Sequence, residues 1–583
     1  MLKKAKSLFT VMVISTFIHA QGVYDNSGGY LIVPSGGYLI TQNFTIGSSG
    51  SFTAGGNISV SGDWTNNKGS TQTLSGGLVT FNGSSTQQIT GNNRTDFNNL
   101  TVASGAAVEV PASKHVNVNG ILTMTGSFTL LSSATYSTAS LIDAGSNSGN
   151  LTVHRHLTGG KRLHFVSSPV HNGAFTSIYD NTNGNYNVYW YDETNTSTDP
   201  NIGWTRILSG TLTDGLGYTA VYDNWTTRIF TGTLNTSSDI GVTITNTSSG
   251  NSSADGWNLV GNPYPSAVSC STFVADNSLI DGTLYFWDSD TSGGGGYSNA
   301  DYASWNGSGS AASGGGQQVA PNGVLAIGQA FFVKKSGAGS GTLYFKNSQR
   351  MHTTDAQFFT PELIDFQRIK LSVTNDFNLS NEIIIAFRKE ATDEHDRLYD
   401  GIKLKGNPNL AFYSIWDEKE YVINSLPEID ATTNKVIPLG LDAGLEINHQ
   451  IKLLGFENID PSVKIYLEDR QEKKFIDLAE LRSYEFIPAK GTNINRFFIH
   501  INPDLTGIAE NHADFQVYSS GKTIYLVNPK NLAGNFMVTD MMGKILCKGD
   551  LHINYFNLNV ARGYYLIHIQ TNGNFITKKI FIQ

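Results

Sequence analysis

Residues 22–150 are built from short strand-forming runs that are separated by turns rich in Gly, Asn and Ser. Each run alternates apolar and polar residues with a period of two, which indicates a β-strand with one buried face. We therefore expect one short strand in each turn of a stacked solenoid, whose neighbouring turns bury a continuous aliphatic core. The runs cover residues 38–40, 57–60, 78–81, 100–102, 116–118, 122–124 and 128–130.

Polar residues mark the corners of this predicted solenoid. Asn suits such corners because it tolerates left-handed backbone and its side chain can form a ladder between turns. The segment resembles the right-handed β-helix-like repeats of bacterial surface proteins in the stretches 60–64, 79–83, 97–102 and 118–124. An antiparallel β-sandwich is the alternative fold for it. If the solenoid forms, the core-facing positions include Leu78, Phe81, Leu100, Val102, Val118 and Leu122.

The composition of the whole chain favours strands over helices. It contains 25 Tyr and 31 Phe together with many Val, Ile and Thr, all of which are common in strands, while 61 Gly supply turns. No long amphipathic helical pattern is present. The sequence therefore predicts an all-β protein, with an N-terminal β-helix-like solenoid over residues 21–150, β-sandwich domains after it, and a small C-terminal β-sandwich.

Charge density changes near residue 351, which indicates a domain boundary. Residues 21–350 contain 30 charged residues, and residues 351–583 contain 54. Residues 151–355 are predicted to form an all-β domain with an internal pseudo-repeat, because an aromatic strand, an Asp-led polar loop, a Trp and a Gly-bounded strand occur twice. Residues 356–508 alternate cleanly between turns, which predicts an immunoglobulin-like β-sandwich with one helical turn at 477–481.

Residues 509–583 combine three short motifs with the strand pattern of a small β-sandwich. Predicted strands cover residues 523–527, 535–538, 564–570 and 575–582. The pair Asn572-Gly573 between the last two strands suits a type I′ hairpin turn. The motifs are Asp540-x-x-Gly543-Lys544, Gly563-x-Tyr565 and Lys578-Lys579-Ile580.

These motifs resemble the type A C-terminal sorting domain of proteins that are exported by the type IX secretion system of Bacteroidota. The resemblance implies recognition by the outer-membrane translocon, removal of the domain by a sortase, and attachment of the remainder to surface lipopolysaccharide. Stretches 163–169 and 256–265 resemble a domain common just upstream of such signals. Members often begin with Tyr/Phe-Pro-Asn-Pro, whereas this chain has Val517-Tyr518-Ser519-Ser520. The implied sorting-signal residues are Asp540, Gly543, Lys544, Gly563, Tyr565, Lys578 and Lys579.

The first 20 residues predict a secretory signal peptide. Lys3, Lys4 and Lys6 precede an apolar run over residues 8–18, and Ala20 stands before Gln21. This run is too short to span a bilayer, and no later segment reaches 18 apolar residues, so no transmembrane segment is expected. Removal of three lysines changes the formal net charge from −9 to −12. A chain this acidic is not expected to bind nucleic acid.

Few residues suggest a metal site, and no cofactor is expected. Asp288-x-Asp290 begins like a calcium loop, but Asn299 stands where the bidentate Glu would be, so both acids are weak metal candidates. Asp192-Glu193 is no stronger a candidate. His154 and His156 would share one strand face, yet no third ligand is identifiable, so ordinary strand positions are the simpler interpretation.

The sequence contains no recognisable catalytic motif, and we nominate no catalytic residue. The acids are too scattered to pair as a glycosidase would need. Trp204, Trp225, Trp287 and Trp305 could stack on sugars, although core packing is the simpler interpretation. Cys270 and Cys547 are 277 positions apart, so we expect no disulfide and predict that both thiols are buried among apolar groups.

These observations predict a secreted cell-surface protein with a structural or adhesin-like role, exported by the type IX secretion system. Its expected partners are the translocon and sortase of that system, with surface lipopolysaccharide or an extracellular glycan as a further partner. The alternative is a carbohydrate-binding protein or a carbohydrate-active enzyme that acts on extracellular polysaccharide.

Overall fold

The protein is nearly all β. A computed structural model describes residues 19–25, 30–135, 137–157, 162–179, 188–195, 203–222, 226–235, 239–248, 255–289, 301–314, 318–352, 365–503, 516–520, 522–527, 533–553, 555–571 and 575–582. Within these ranges, 57% of residues are in strands and 4% are helical. The predicted all-β class, with its solenoid, is therefore confirmed.

The chain divides into two compact units. The first comprises residues 1–429, 438–459 and 483–494, and the second comprises residues 430–437, 460–482 and 495–583. The boundaries predicted near residues 150 and 355 lie inside the first unit, and the boundary predicted near residue 508 lies inside the second.

A parallel β-solenoid of about six turns begins the first unit. Its strands stack in three rows, and the longer strands β3, β14 and β16 bend so that each contributes to two rows. The strands are β1 (His19–Asp25), β2 (Tyr30–Val33), β3 (Tyr38–Ile46), β4 (Ser51–Ala54), β5 (Asn57–Val60), β6 (Trp64–Asn66), β7 (Gln72–Thr73), β8 (Leu78–Phe81), β9 (Gln87–Gly91), β10 (Thr95–Phe97), β11 (Asn99–Val102), β12 (Ala107–Val110), β13 (His115–Val118), β14 (Leu122–Leu130), β15 (Ser140–Asp143) and β16 (Asn147–Leu157).

The solenoid core contains five of the six residues that the sequence placed there. Phe81, Leu100, Val102, Val118 and Leu122 are each 0% exposed. The prediction for Leu78 is wrong, because the strand register aligns Leu100 with Val79 and Val102 with Phe81. Since alternate residues of a strand point to opposite faces, Val79 and Phe81 are buried and Leu78 is only half-buried.

Corner side chains bond each turn of the solenoid to the next. The Oδ1 atom of Asn57 accepts a hydrogen bond from the backbone N–H of Leu78 at 3.1 Å, and Oδ1 of Asn99 accepts one from Ile121 at 2.7 Å. Left-handed backbone is adopted by glycines rather than by these asparagines. At Gly77, with φ of +72°, a Cβ atom would also collide with the carbonyl oxygen of Gly56.

The rest of the first 351 residues adds smaller antiparallel sheets and one short helix. β16 pairs in antiparallel fashion with β21, which ends the parallel stack. The elements are β17 (Arg162–Val166), a 3₁₀ turn (Phe175–Ser177), β18 (Val188–Tyr191), β19 (Trp204–Ile207), β20 (Tyr218–Tyr222), β21 (Thr226–Gly232), β22 (Ile240–Asn246), β23 (Trp257–Gly261), β24 (Ala267–Ser269), α1 (Cys270–Asp276), β25 (Leu284–Asp288), β26 (Asp301–Asn306), β27 (Gly309–Ala311), β28 (Val324–Leu325), β29 (Ala330–Lys334), β30 (Gly339–Phe345), a second 3₁₀ turn (Asn347–Gln349) and β31 (Arg350–Met351).

Residues 367–501 form long strands. In the first unit, seven strands are hydrogen-bonded in the order β37-β35-β36-β33-β32-β38-β41, and only β33 and β36 are parallel. One face of this sheet buries Ile384 and Ile423 against Phe165 and Tyr285, so it shares a core with the sheets before it. The elements are β32 (Gln367–Asn375), β33 (Ser380–Arg388), β34 (Gly401–Ile402), β35 (Leu410–Trp416), β36 (Lys419–Pro427), β37 (Lys435–Ala443), β38 (His449–Glu457), β39 (Ile465–Asp469), β40 (Lys474–Asp477), α2 (Leu478–Leu481), β41 (Ser483–Phe486) and β42 (Gly491–Ile501).

The second unit contains the predicted helical turn and two C-terminal sheets. Asp477 caps α2 by accepting a hydrogen bond from the backbone N–H of Ala479. The two sheets have the orders β43-β44-β47 and β46-β45-β48-β49, and they enclose an aliphatic core that includes Ile524, Val538 and Ile567. Their strands are β43 (Gln516–Ser520), β44 (Thr523–Val527), β45 (Gly534–Asp540), β46 (Ile545–Asp550), β47 (Tyr555–Asn557), β48 (Gly563–Thr571) and β49 (Phe575–Ile582).

Candidate functional site

The first sorting motif forms the turn between β45 and β46. Oδ1 of Asp540 accepts hydrogen bonds from the backbone N–H groups of Met542 and Lys544, both at 2.9 Å. Gly543 has φ of +85°, a conformation that favours glycine. The motif therefore fixes the backbone of the turn. It also presents Met541 and Met542 to solvent, with 56% and 93% of their surface exposed.

The other two motifs meet across β48 and β49. Tyr565 is 9% exposed, and its hydroxyl donates a 2.6 Å hydrogen bond to the carbonyl oxygen of Ala561. Lys578 is 8% exposed and faces the same side as the buried Ile580. Lys579 points the other way, where its Nζ atom lies 4.2 Å from the centre of the Tyr564 ring. The structure thus gives Tyr565 and the two lysines distinct packing positions.

The strands predicted for this region are present. β44, β45, β48 and β49 cover the four predicted runs, and Gly563 is the first residue of β48. The stretch 517–520, which departs from the family pattern, lies in β43 and pairs with β44. The Asn572-Gly573 turn lies outside the described residues.

The described parts of the chain contain no group of three or more His, Cys, Asp or Glu side chains that could hold a metal ion. Asp288 accepts hydrogen bonds through Oδ2 from the Ser313 hydroxyl at 2.6 Å and the Gln318 backbone at 3.0 Å, so it organises a loop. Asp290 lies outside the described residues. Glu193 accepts hydrogen bonds from the backbone N–H groups of Thr247 and Gly256.

His154 and His156 do lie on one face of β16, as the alternation predicts. Nδ1 of His156 lies 3.3 Å from the hydroxyl of Thr227 on β21. Burial lowers the pKa of His154, and the nearby Glu109 partly opposes that shift. These contacts fit ordinary strand positions.

The candidate tryptophans are mostly packing residues. Trp204 and Trp287 belong to an aromatic cluster around Phe165, with ring centres 5.9 and 5.7 Å from it, and both retain part of their surface exposed. Trp305 is 8% exposed and belongs to a separate core. Trp225 lies outside the residues that the structure describes.

The two cysteines are free thiols in different environments. Cys270 is fully buried in the first turn of α1, and burial raises the pKa of its thiol well above the ordinary value. Cys547 is only half-buried, so the prediction that both side chains are buried is wrong for this one. Its strand β46 lies at the edge of its sheet, where only one side is covered by a neighbouring strand.

Two buried cations of the first unit have acidic partners. Nη2 of Arg350 lies 3.2 Å from Oδ1 of Asp143, and Nζ of Lys403 lies 3.4 Å from Oδ2 of Asp301. The four side chains are at most 2% exposed. Such pairs reduce the cost of burying a charge, which identifies them as structural elements of the first unit.

Arg155 differs from these cations. It lies on the core-facing side of β16 with Val153 and Leu157, and burial lowers the pKa of its guanidinium. No described side chain or carbonyl group forms an ion pair or a hydrogen bond with this guanidinium. Strand alternation places Arg155 on the face opposite His154 and His156.

The Arg155 side chain lines a cavity of about 370 Å³ in the first unit. We call it the Arg155 cavity. Its walls combine apolar groups with a few polar side chains, which is typical of small-ligand sites. The residues that line it are Arg155, Phe286, Trp287, Asp288, Ala303, Val319, Ala320, Pro321, Asn322, Val324, Ala326 and Gln329.

A second polar cluster surrounds Asp400. Its carboxylate accepts hydrogen bonds from the backbone N–H groups of Asp396 at 2.7 Å and Ser425 at 2.6 Å, and Nδ1 of His395 lies 3.8 Å away. Burial raises the pKa of Asp400 to about 7 despite these bonds. The cluster can therefore hold or release a proton near neutral pH.

A family model matches most of this chain. The model of a family described as a domain of unknown function, DUF8693, matches residues 26–501, and this match ends before the two C-terminal sheets. No curated protein matches the chain. No helix in the described ranges is long and apolar enough to cross a membrane.

Proposed function

This chain belongs to the DUF8693 family, and we propose that it is a secreted cell-surface protein with a structural or adhesive role. In this proposal, the signal peptide directs the chain across the inner membrane. The C-terminal sheets then act as the sorting signal for type IX secretion, and residues 21–508 are the part delivered to the cell surface.

The Asp540 turn is the observation that carries the export proposal. Its hydrogen bonds and the left-handed Gly543 hold the turn in one conformation, so Met541 and Met542 project into solvent without collapsing onto the sheet. Exposed apolar side chains on a small folded domain are a common feature of protein-recognition sites. A translocon that recognises folded signals would therefore contact the same surface on every copy of the protein.

The solenoid supports the structural part of the proposal. Its strands form parallel rows with a fully buried aliphatic core and half-buried Thr, Asn and Gln side chains on the outer faces. Repeating turns of this kind are stabilised chiefly by contacts with their neighbours, and they offer regular surfaces for binding.

Truncation tests the export proposal. Deleting residues 515–583 should leave the protein in the periplasm with its signal peptide removed, whereas a full-length H552A variant, changed at an exposed residue of the same unit, should reach the surface normally. Surface biotinylation and cell fractionation measure both. Delivery of the truncated chain to the surface in normal amount would rule out the sorting role.

Glycan binding is the second candidate function, and the Arg155 cavity favours it. The cavity has the size and mixed lining of a small-ligand site, and it adjoins the aromatic residues Phe286 and Trp287. A glycan array probed with the mature chain, residues 21–583, tests this function. If the mature chain bound no glycan on the array, glycan binding would be ruled out as its function.

A further inference from the structure

Arg155 occupies an electrostatically unfavourable position. In the antiparallel pairing of β16 with β21, Arg155 stands directly opposite Arg228. Side chains that are opposed in this way project to the same face, and like charges there destabilise the pair. Arg228 therefore supplies no counter-charge to Arg155.

Two amide side chains of the Arg155 cavity also offer unused donors. Oδ1 of Asn322 accepts a hydrogen bond from the Val324 backbone at 3.2 Å, and Oε1 of Gln329 accepts one from the Ala326 backbone at 2.9 Å. These bonds identify the oxygen of each amide, so Nδ2 and Nε2 are the remaining groups. Neither nitrogen donates a hydrogen bond to any described residue.

The Arg155 cavity consequently has an excess of donors. The guanidinium of Arg155 and the amide nitrogens of Asn322 and Gln329 only donate hydrogen bonds. A ligand that bonds to all three groups must therefore be rich in acceptors. A carboxylate is the best match for a guanidinium because it accepts two parallel charge-assisted hydrogen bonds. Asp288, the acid that lines the same cavity, is already bonded to Ser313 and Gln318 and forms no ion pair with Arg155.

Part of the cavity lining is apolar. Phe286 and Ala303 are paired on neighbouring strands and are 7% and 3% exposed, and Pro321 and Ala320 come from the loop before β28. A wall of this kind accommodates the C–H face of a sugar ring. The volume of about 370 Å³ falls within the range of sites for small ligands.

We propose that the Arg155 cavity binds a carboxylate-bearing sugar, a uronic acid unit of an acidic polysaccharide. Arg155 binds the carboxylate, the amide nitrogens of Asn322 and Gln329 donate to carboxylate or hydroxyl oxygens, and Phe286 supports the ring. This inference rests on the second candidate function, glycan binding, and specifies its ligand class. It does not depend on how the protein is exported.

Calorimetric titration of the mature chain with galacturonic acid oligosaccharides tests the proposal, with neutral galactose oligosaccharides for comparison. Binding should be at least about tenfold weaker for R155Q, because a charge-assisted pair is lost. N322D should also weaken binding, since Asp keeps the acceptor for Val324 and replaces the donor with an anion. The matched control R206Q changes an exposed arginine outside the cavity and should bind normally.

Four outcomes decide the question. Preferential binding of the acidic oligosaccharide with loss in both R155Q and N322D supports the proposal. Equal binding of neutral and acidic sugars overturns the uronic acid proposal but leaves glycan binding in place. Binding of neither sugar overturns both the uronic acid proposal and glycan binding. If sulfate displaced the acidic oligosaccharide and bound with the same affinity, the Arg155 cavity would be a general anion site, and the uronic acid proposal would be overturned.

Folding controls accompany these titrations. R155Q removes a desolvated charge that has no ion-pair partner among the described residues, so its melting temperature should equal or exceed that of the unmodified chain. N322D changes an exposed residue and retains the turn, so it provides an independent test if R155Q does not fold. Undiminished binding of the acidic sugar by N322D would count against the proposal.

Discussion

Arg350 and Asp143 lie 207 positions apart in the sequence and form an ion pair that is closed to solvent. Nη2 of Arg350 is 3.2 Å from Oδ1 of Asp143, and the two side chains are 1% and 0% exposed. The guanidinium also donates to the carbonyl oxygens of Leu141 and Asp143 and to the hydroxyl of Ser266. The pair thus connects β15 of the solenoid to β31.

Removing the acid of this pair should strongly destabilise the first unit. D143N leaves the guanidinium of Arg350 buried without a counter-charge, and we expect the free energy of unfolding to fall by about 3–5 kcal/mol. Urea denaturation measures the change. The control is D276N, which alters the more exposed pair between Asp276 and Lys346 and should cost less than about 1 kcal/mol. Equal losses in both variants would contradict the structural role of the buried pair.

A charge introduced at Leu100 should destabilise the solenoid far more than a charge introduced at Leu78. Leu100 is 0% exposed, so L100D buries an unpaired carboxylate and should cost on the order of 4 kcal/mol or more. Leu78 is half-buried on the other face of its strand, and L78D should cost clearly less. Thermal melting of the two variants compares them directly. Equal melting temperatures would mean that the inward and outward faces are wrongly assigned.

His352 should make the first unit sensitive to acid. Its Nε2 atom lies 2.6 Å from Oδ1 of Asn117 and its Nδ1 atom lies 2.8 Å from the Ser140 hydroxyl, and burial, with His115 nearby, lowers its pKa to about 2. The folded state therefore binds fewer protons than the unfolded state between pH 2 and 6.5. Its contribution to stability is complete above pH 6.5 and is lost as the pH falls through that range.

Between pH 7 and pH 5 this loss should be about 2 kcal/mol. H352Q cannot take up the proton, so its free energy of unfolding should change less than that of the unmodified chain over the same interval. Denaturation curves at both pH values give the difference. Parallel pH profiles for the two proteins would contradict the assignment to His352.

Asp400 should change the stability with pH in the direction opposite to that of His352. Burial raises its pKa to about 7, so the folded state holds the proton more tightly than the unfolded state does. Its contribution to stability is complete below the ordinary pKa of 3.8 and is lost as the pH rises through about 7. The carboxyl ¹³C resonance that disappears in D400N reports its titration. A midpoint below about 5 would contradict the prediction.

The two motif glycines of the C-terminal sheets should respond differently to alanine. Gly543 has φ of +85° with no atom near a built Cβ, so G543A should cost about 1 kcal/mol through backbone strain alone. At Gly563, φ lies outside the left-handed region and the nearest atoms to a Cβ are 3.9 Å away in the Tyr565 ring. G563A should therefore be neutral or slightly stabilising in chemical denaturation. A larger loss of stability in G563A than in G543A would contradict the turn geometry.

Local sequence pattern was sufficient to predict a solenoid and most of the core positions named for it. The expectation of one short strand in each turn was wrong, because the strands stack in three rows. Alternation of apolar and polar residues is a property of neighbouring positions, and it places Leu100, Val102 and Leu122 correctly. The same holds for the helical turn α2, whose residue types favour a capped turn without distant contacts. Leu78 shows the limit of the pattern. In the run Leu-Val-Thr-Phe both ends are apolar, and a shift of one residue exchanges the two faces.

Only the tertiary structure decided which distant residues meet. Arg155 and Arg228 are opposed because β16 pairs with β21 in one register, and Arg350 reaches Asp143 because β15 and β31 are brought together in the first unit. Strand pairing joins segments far apart in the chain, and many registers satisfy the same local alternation. The buried charges, the Arg155 cavity and the shifted pKa values of His352 and Asp400 depend on that choice, so none of them could be predicted from the sequence pattern alone.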